Sequence, residues 1–522
     1  MRKIAGRRRL MAALMMAATL VAAPASAQAQ GASAEAPRAE TAYGPVVGTR
    51  DDDVLVFKGV PYAAAPTGEL RWRPPAEPAG WTRPRQATTF APACPGGLPA
   101  RKDTSEDCLY LNVWTPQMGA QAKRPVMVWI YGGGFRGGST ALPIFDGRAL
   151  AQQGVVLVSF GYRVGALGFL ATPELSAESP HGASGNYGVL DAVAALRWVQ
   201  ENIAAFGGDR QNVTVFGQSS GSETVNILTA SPLAKGLFAK AIGESGSSFG
   251  VRAALPLRKA EALGKAFMAE RGVTSLAALR KLPTDKLLIP DDQKYEPNVD
   301  GWLLPRSVRE IYLAGAQNDV PMIIGGTTQE FGRPPEISRE ALNAGLQAEY
   351  GPLAPAIATA IGADGEADPT DARWRLTNVE WGNFTAAMWS GLQTKTGRAP
   401  VYRYVFDYAP PQPAGRPRTA HHGAELAYIF GNYRPAGRTL DAEEQMIHRL
   451  LSGYWLNFAR TGNPNGAGLP QWPAHGVPAH VALRFGAEGA APIGEREPVL
   501  LDLIDRHYHG EADEADQTIK PR

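Results

Sequence analysis

Five apolar runs recur along the chain, and each is apolar at successive positions rather than at alternate ones. Runs of this kind are typical of strands that are buried on both faces, as in a parallel sheet. They therefore predict the strands of one central sheet. The runs are PVMVWIYGGG, VVLVSFGYRV, NVTVFG, AKAIGESG and PMIIGG, which begin at Pro125, Val155, Asn212, Ala239 and Pro321.

A helical pattern lies between the second and third runs. Strands that alternate with helices predict an α/β fold with a large, mostly parallel central sheet flanked by helices. Residues 251–320 and 335–395 lack the strand pattern, and we expect them to be helical insertions packed over the sheet. Gly207 and Gly208 are suited to the C-terminal cap of the helix. Its apolar residues recur every three or four positions: Val189, Val193, Leu196, Val199 and Ile203.

The chain opens with a segment that has the form of a bacterial secretory signal. Its first nine residues carry five positive charges, the stretch from Leu10 to Ala23 is apolar, and Ala25-Ser26-Ala27 offers small residues for cleavage. We therefore expect export to the periplasm or the medium, with cleavage after Ala27. An uncleaved anchor is the alternative, although the apolar stretch is short for a membrane-spanning helix.

Charge narrows the classes of partner. The 522 residues include 52 Lys and Arg against 50 Asp and Glu, and five of the positive but none of the negative charges lie in 1–27. Residues 28–522 thus carry a net charge of −3 and no basic patch with interleaved aromatics, which argues against a nucleic-acid partner. No other segment approaches the length of a membrane span, so we expect no stable membrane anchor.

The predicted export bears on the state of the two cysteines. Cys94 and Cys108 are the only two cysteines, and in an oxidising compartment they would form a disulfide. Two buried free thiols are the alternative.

The predicted parts of the chain are a signal peptide at 1–27, a flexible mature N-terminus at 28–40, one folded domain at 41–510 and a polar tail at 511–522.

The third apolar run leads into G-Q-S-S-G, where Ser219 stands before the helical pattern SETVNILTA. This is the setting of a nucleophile elbow, in which a tight, strained turn exposes a serine hydroxyl near a helix N-terminus. A Gly-Ser turn without chemistry is the alternative. GESGS at Gly243 competes for the role, but Ser247 replaces its closing glycine. Ser245 is therefore predicted to be a buried structural serine.

A second glycine-rich stretch, YGGGFRGG from Tyr131 to Gly138, follows the first apolar run. Successive glycines let a backbone approach a substrate and present N–H groups to a developing oxyanion. The alternative is a phosphate-binding loop. The stretch lacks the Lys-Ser/Thr ending of a P-loop, and it is not G-x-G-x-x-G opening a helix. The N–H of Ser220, directly after the nucleophile, would be a further oxyanion donor.

Together these stretches resemble the type-B carboxylesterase family of α/β hydrolases, which includes the cholinesterases and bacterial para-nitrobenzyl esterases. The resemblance runs from residue 43 to residue 470 in the family's order. It implies an α/β-hydrolase fold with helical insertions over the active site, and a serine esterase that uses no cofactor or metal. The matching stretches are FKGVPYAAAP, SEDCLYLNVWTP, VWIYGGGF, GNYGVLDAVAALRWVQENIAAFGGD, VTVFGQSSG, HGAELAYIFG and WLNFARTGNPN.

The resemblance assigns a catalytic triad residue by residue. Ser219 matches the nucleophile, Glu330 in IIGGTTQEF the acid and His422 in HHGAE the base. Their order along the chain is that of the α/β hydrolases. The adjacent His421 raises a metal site as an alternative. No third ligand stands at metal spacing and H-E-x-x-H is absent, so we expect no metal.

The resemblance also assigns the residues that support the triad. Gly133, Gly134 and Ser220 match the family's oxyanion donors. The family's early disulfide matches Cys94 and Cys108, so the resemblance implies the same pairing as the predicted export does.

The chain departs from the family at several positions near the site. Most members carry glutamate before the nucleophile and alanine after it, where this chain has Gln218 and Ser220. Leu98 stands near the tryptophan that faces choline in acetylcholine-hydrolysing members, so a quaternary ammonium substrate is not expected. Gln218 and Arg136 are candidates for substrate binding, and arginine would favour carboxylates. The alternative for Arg136 is a solvent-facing or ion-paired side chain.

The sequence thus predicts an exported serine carboxylesterase that acts on small-molecule esters through an acyl-enzyme. Carboxylate-bearing esters, such as the tricarballylic esters of fumonisin, are one alternative substrate class, and amides or lactones are another. A non-catalytic binding role like that of the neuroligins is an alternative of a different kind. Those relatives have lost the serine that this chain keeps. The physiological substrate, the acyl and alcohol sizes and the oligomeric state are left open.

Overall fold

The computed structural model describes residues 35–97, 102–290, 295–413, 415, 417–433, 439–476 and 480–510. The predicted signal peptide at 1–27, the predicted tail at 511–522 and Leu98 lie outside these residues. The described residues from Pro37 onward form one compact unit.

Sixteen strands are found in the described part of the chain, and eleven of them form one sheet. In chain order the strands are β1 (Arg38–Thr41), β2 (Gly44–Val47), β3 (Thr49–Asp51), β4 (Val54–Pro61), β5 (Arg85–Gln86), β6 (Tyr110–Thr115), β7 (Arg124–Ile130), β8 (Val156–Phe160), β9 (Gly208–Gln218), β10 (Lys240–Glu244), β11 (Leu255–Pro256), β12 (Asn298–Val299), β13 (Met322–Thr327), β14 (Val401–Phe406), β15 (Ala482–Gly486) and β16 (Gly489–Ile493).

The eleven-stranded sheet is parallel in its middle and antiparallel at its edges. Its order is β16-β15-β14-β13-β10-β9-β7-β8-β6-β4-β3. The seven strands from β15 to β8 pair in parallel, and the outer pairs are antiparallel. The five apolar runs became β7, β8, β9, β10 and β13. The predicted mostly parallel central sheet is therefore confirmed.

Helices cover the sheet, and none in the described part of the chain is both long and apolar enough to cross a membrane. A π-helix, Val379–Phe384, lies between two of them. The α-helices are α1 (Arg148–Gln152), α2 (Gly165–Phe169), α3 (Pro173–Glu178), α4 (Tyr187–Asn202), α5 (Ser220–Ala230), α6 (Leu257–Glu270), α7 (Leu276–Arg280), α8 (Val308–Leu313), α9 (Arg339–Tyr350), α10 (Ala354–Ala360), α11 (Pro369–Asn378), α12 (Thr385–Thr396), α13 (Leu426–Phe430), α14 (Ala442–Thr461) and α15 (Pro498–His509).

The helix predicted from the three-to-four spacing is α4. It ends at Asn202, and a 3-10 turn, Ile203–Phe206, continues to Gly207. Gly207 has φ of +82°, a left-handed conformation that glycine adopts without strain. The chain then enters β9 directly, so the second glycine of the pair belongs to the strand and not to the cap.

Two segments differ in detail from the sequence predictions. Residues 38–40, placed in the flexible N-terminus, begin strand β1, because they pair with β2 and bury Ala39 against Val46. Residues 251–320 contain helices α6 to α8, as expected for a helical insertion. They also contain the short strands β11 and β12, which pair only with each other.

Aromatic packing fixes the centre of the sheet, where β7 and β9 are neighbours. The Trp129 ring lies 4.8 Å from that of Phe216 and 5.0 Å from that of Phe430, centroid to centroid. All three side chains are fully buried. Close packing of this kind holds the ends of β7 and β9 rigidly, and the two glycine-rich stretches begin at those ends.

Candidate active site

Ser219 occupies a strained turn between β9 and α5. Its φ of +59° and ψ of −129° lie outside the regions that non-glycine residues prefer. The Ser219 N–H donates to the Glu244 carbonyl of the neighbouring strand at 2.8 Å, and its carbonyl accepts from the Glu223 N–H at 2.9 Å. The strand and the helix therefore impose the strained conformation from both sides.

Glycines make this turn sterically feasible. A Cβ on Gly217 would come within 2.6 Å of Gly221, and a Cβ on Gly221 would overlap the carbonyl oxygen of Ile130 on β7. The β9–α5 turn thus packs directly on the neighbouring strand with no room for side chains. This is the geometry expected of a nucleophile elbow.

The second glycine-rich stretch lies against the elbow. A Cβ on Gly132 would come within 2.7 Å of the Ser219 Cβ. Gly133 and Gly134 follow with φ of +139° and +61°, backbone conformations that glycine adopts without strain. The predicted donor stretch and the predicted nucleophile are therefore neighbours in space.

The candidate acid and base are brought together by two loops at the same end of the sheet. Gln329 and His421 form an isolated parallel bridge, which aligns the residues that follow them. Glu330 Oε2 lies 2.5 Å from His422 Nδ1. Glu330 Oε1 accepts from the Thr327 N–H at 2.9 Å, and the carboxyl group is buried. His421 itself is exposed, and its Nδ1 lies 3.2 Å from the carbonyl oxygen of Thr419, two residues before it.

The His422 imidazole also contacts the residue next to the candidate nucleophile. Gln218 Nε2 lies 2.9 Å from His422 Nε2. Both ring nitrogens of His422 thus have a partner, Glu330 at Nδ1 and Gln218 at Nε2. The structure therefore places Glu330 against His422, and it places His422 against Gln218, the residue directly before Ser219.

Buried carboxyl groups determine the protonation of His422. Burial alone would lower the pKa of the imidazole, but the hydrogen bond with Glu330 and the charges of Glu330 and Glu425 raise that pKa above its ordinary value. Glu425 is fully buried three residues further on, and burial together with the charge of Glu330 raises its pKa to about 7. The sequence does not reveal the burial of Glu425, because nothing in the spacing of that residue indicates it.

Ser245, the competing serine, is hydrogen-bonded to the backbone of β13. Its N–H donates to the Gly325 carbonyl at 2.7 Å, and its Oγ accepts from the Thr327 N–H at 3.3 Å. The side chain is 1% exposed. Its prediction as a buried, hydrogen-bonded serine is confirmed.

An aromatic side chain that the sequence did not reveal lies beside His422. The Trp381 ring in the π-helix is 6.4 Å from that of His422, and Phe331 packs edge-on against Trp381 at 5.2 Å. The Arg252 guanidinium lies over the Trp381 ring at 5.1 Å and is ion-paired with the buried Glu223. Such π-helical turns often occur at functional sites, but no sequence pattern announces them.

The remaining predicted residues are placed as follows. Arg136 is half-buried in the glycine-rich loop, where its N–H donates to the Gly133 carbonyl at 3.1 Å. Cys94 and Cys108 are joined in a disulfide with their Cα atoms 5.1 Å apart, so the predicted bridge is confirmed.

The chain matches a known protein family over most of its length. The sequence profile of the carboxylesterase family matches residues 35–348 and 364–490. The chain belongs to the carboxylesterase family. It is accordingly a carboxylic ester hydrolase with the α/β-hydrolase fold, and the resemblance inferred from the motifs is confirmed.

Two bacterial members of the carboxylesterase family are similar over most of the chain. The fumonisin B1 esterase of Sphingopyxis macrogoltabida is 38% identical over 452 residues, covering 81% of this chain and 82% of that protein. The para-nitrobenzyl esterase of Bacillus subtilis is 36% identical over 475 residues, covering 83% of this chain and 92% of that protein.

Solved carboxylesterase structures match the fold. The carboxylesterase of Geobacillus stearothermophilus superposes with a TM-score of 0.81 at 34% identity, covering 89% of this chain and 99% of that one. A para-nitrobenzyl esterase structure gives a TM-score of 0.77 at 33% identity, covering 90% and 99%.

Proposed function

We propose that this carboxylesterase cleaves esters through an acyl-enzyme on Ser219, with His422 as general base and Glu330 as the acid that orients it. The observation that carries the proposal is the strained Ser219 turn beside an imidazole that is paired through Nδ1 with a buried carboxylate. A serine on an elbow with a neighbouring base is the arrangement that acyl transfer requires.

The steps follow from these positions. His422 Nε2 takes the proton of the Ser219 hydroxyl as the oxygen attacks the ester carbonyl. Glu330 keeps the Nδ1 proton in place and stabilises the imidazolium. The imidazolium then protonates the leaving alcohol, and water releases the acid by the same steps in reverse order. The oxyanion is held by the N–H groups of Gly133, Gly134 and Ser220, each worth about 3 kcal/mol in comparable sites.

The test is ester hydrolysis by the full chain and two serine variants. We expect Ser219→Ala to lower kcat for para-nitrophenyl acetate by at least about 10⁴-fold, since the nucleophile is lost. Ser245→Ala is the matched comparison, because it removes a buried serine that does not contact His422. Equal losses in both variants, or activity that survives in Ser219→Ala, would contradict the assignment.

A second candidate concerns the substrate. We propose that esters bearing carboxylates are favoured, because Arg136 lies in the glycine-rich loop beside Ser219 and arginine binds carboxylates bidentately. A relative that is 38% identical is a fumonisin B1 esterase. Arg136→Ala should then lower kcat/KM for a tricarballylate diester by about tenfold or more, with little change for para-nitrophenyl acetate. Equal effects on both esters would remove this candidate.

We also propose that the enzyme acts outside the cytoplasm after cleavage at Ala27. The support is the charged, apolar and small-residue pattern of 1–27 and the disulfide between Cys94 and Cys108. Mass spectrometry of the protein purified from periplasm or medium should give an N-terminus at Gln28. A chain that keeps Met1 and stays in the cytoplasm would contradict the proposal.

A further inference from the structure

The amide of Gln218 fills a narrow slot between two glycines. A Cβ on Gly132 would come within 3.0 Å of Gln218 Oε1, and a Cβ on Gly423 within 3.4 Å of Gln218 Nε2. Gly132 belongs to the loop before the oxyanion donors, and Gly423 directly follows the base. Gln218 is 7% exposed. The amide is thus held against the catalytic imidazole by backbone on both sides.

The contact between His422 Nδ1 and Glu330 decides which atom donates in the contact between His422 Nε2 and Gln218. Glu330 Oε2 at Nδ1 can only accept, so the Nδ1 of His422 carries the proton. In the neutral imidazole Nε2 is then the acceptor, and the N–H of Gln218 at 2.9 Å is the donor. Ser219 must donate to the same lone pair when His422 acts as base, so the two donors compete for it.

We propose that Gln218 is a positioning residue for the base: its amide N–H holds the Nε2 edge of the neutral imidazole and stabilises that form over the imidazolium. The inference rests on the proposed function, in which His422 is the base. When the proton of Ser219 moves to Nε2, a half-turn of the amide offers Oε1 to the new N–H. A glutamine can serve both protonation states of the ring in this way, and neither glutamate nor methionine can.

Gln218 is an uncharged neighbour of the His422 ring, whereas two carboxyl groups face the ring from other elements. Glu330 faces His422 from the loop after β13, and Glu425 faces it from the start of α13. The π-helix contributes the uncharged Trp381, and Arg252 lies on that ring with its charge paired to carboxylates. A carboxylate at 218 would add a third negative charge and favour the imidazolium. An apolar side chain would remove only the hydrogen bond.

The test is an NMR titration of the eight histidines in the full chain, with the His422 signal identified by its loss in His422→Gln. We expect Gln218→Glu to raise the pKa of His422 by about one unit, and Gln218→Met to raise it by about half a unit or less. Gln153→Glu is the matched control, since it makes the same change at an exposed position directly after the end of α1. Superimposable titrations in all four proteins would overturn the inference.

Kinetics supply a second readout, which would not change if Gln218 had only a structural role. The acid limb of kcat/KM should shift to higher pH in the same order as the NMR titration, and Gln218→Met should lower kcat with KM unchanged. A uniform loss of activity with an unmoved acid limb would overturn the inference. If Gln218→Met does not fold, the isosteric Gln218→Glu variant carries the test alone. The titration needs no substrate. A failed ester assay would therefore contradict the proposed function, while the effect of Gln218 on the pKa of His422 could still be measured.

Discussion

At the scale of single residues, two buried carboxyl groups lie close to the proposed catalytic residues without belonging to the proposed triad. Glu425 raises the pKa of His422, and its own pKa is raised to about 7. Burial and the charge of Glu425 raise the pKa of Glu244 well above its ordinary value. In the described part of the chain, the second carboxyl oxygen of each, Oε2, accepts no hydrogen bond. Burial therefore favours the protonated form of both groups.

The pH profile of the enzyme should report the first of these groups. The raised pKa of His422, the proposed base, should place the acid limb of kcat/KM above pH 6.5, because activity is lost as that base is protonated. Glu425→Gln removes a negative charge that favours the imidazolium, so the limb should move to lower pH by up to about one unit. Kinetics from pH 5 to 9 measure this shift. Glu488→Gln, at a highly exposed glutamate, is the control and should leave the limb in place.

Glu244 should make the stability of the protein depend on pH. Its pKa is higher in the folded than in the unfolded chain, so the folded state binds more protons and stability falls as pH rises above about 4.3. Glu244→Gln removes this dependence. We expect the variant to be more stable than the parent by about 1–3 kcal/mol at pH 8 and by less at pH 5. Urea unfolding at both pH values measures it, and an equal difference at both would contradict the account.

At the scale of elements, the elbow depends on close approach between α5 and β7. Gly221→Ala would place a Cβ on the Ile130 carbonyl, so we expect a loss of about 1–3 kcal/mol and lower activity. Gly345→Ala is the matched control on α9, where a Cβ meets nothing within 4 Å. It should be neutral or stabilise by up to about 1 kcal/mol, as alanine does in exposed helices. Thermal unfolding of both variants measures the contrast, and equal Tm changes would contradict it.

The elements also indicate how far sequence reasoning reaches. The apolar runs predict β7, β8, β9, β10 and β13 because strands buried on both faces need no alternation. The strained turn at Ser219 is predictable because only glycine-flanked sequences fold that way. A local sequence pattern does not reveal contacts between residues that are distant from each other in the chain.

Contacts of that kind decide most of the candidate site. The ring of Trp381 lies near that of His422 and belongs to a π-helical turn between α11 and α12, which no local sequence pattern predicts. The burial of Glu425 and the contact of Gln218 with the imidazole likewise depend on tertiary packing. Strand β1 was missed because its pairing with β2 outweighs the polar composition of residues 38–41.

At the scale of the whole molecule, the disulfide closes a loop between residues 94 and 108, which are 14 positions apart. Replacing both cysteines by serine should lower the free energy of unfolding by about 3 kcal/mol, because the unfolded chain regains the freedom of that loop. Urea unfolding measures the change. The reduced parent protein is the control, and it should lose a similar amount. Unchanged stability in both would contradict a structural role for the bridge.

The central claim is that Ser219 is the nucleophile, and covalent labelling tests it most directly. A fluorophosphonate reacts with an activated serine hydroxyl and leaves a stable phosphonyl adduct, which mass spectrometry of a digest assigns to one residue. We predict a single adduct on Ser219 that is lost in Ser219→Ala and slowed in His422→Gln. An adduct on Ser245 or another serine, or no adduct on the folded protein, would contradict the account.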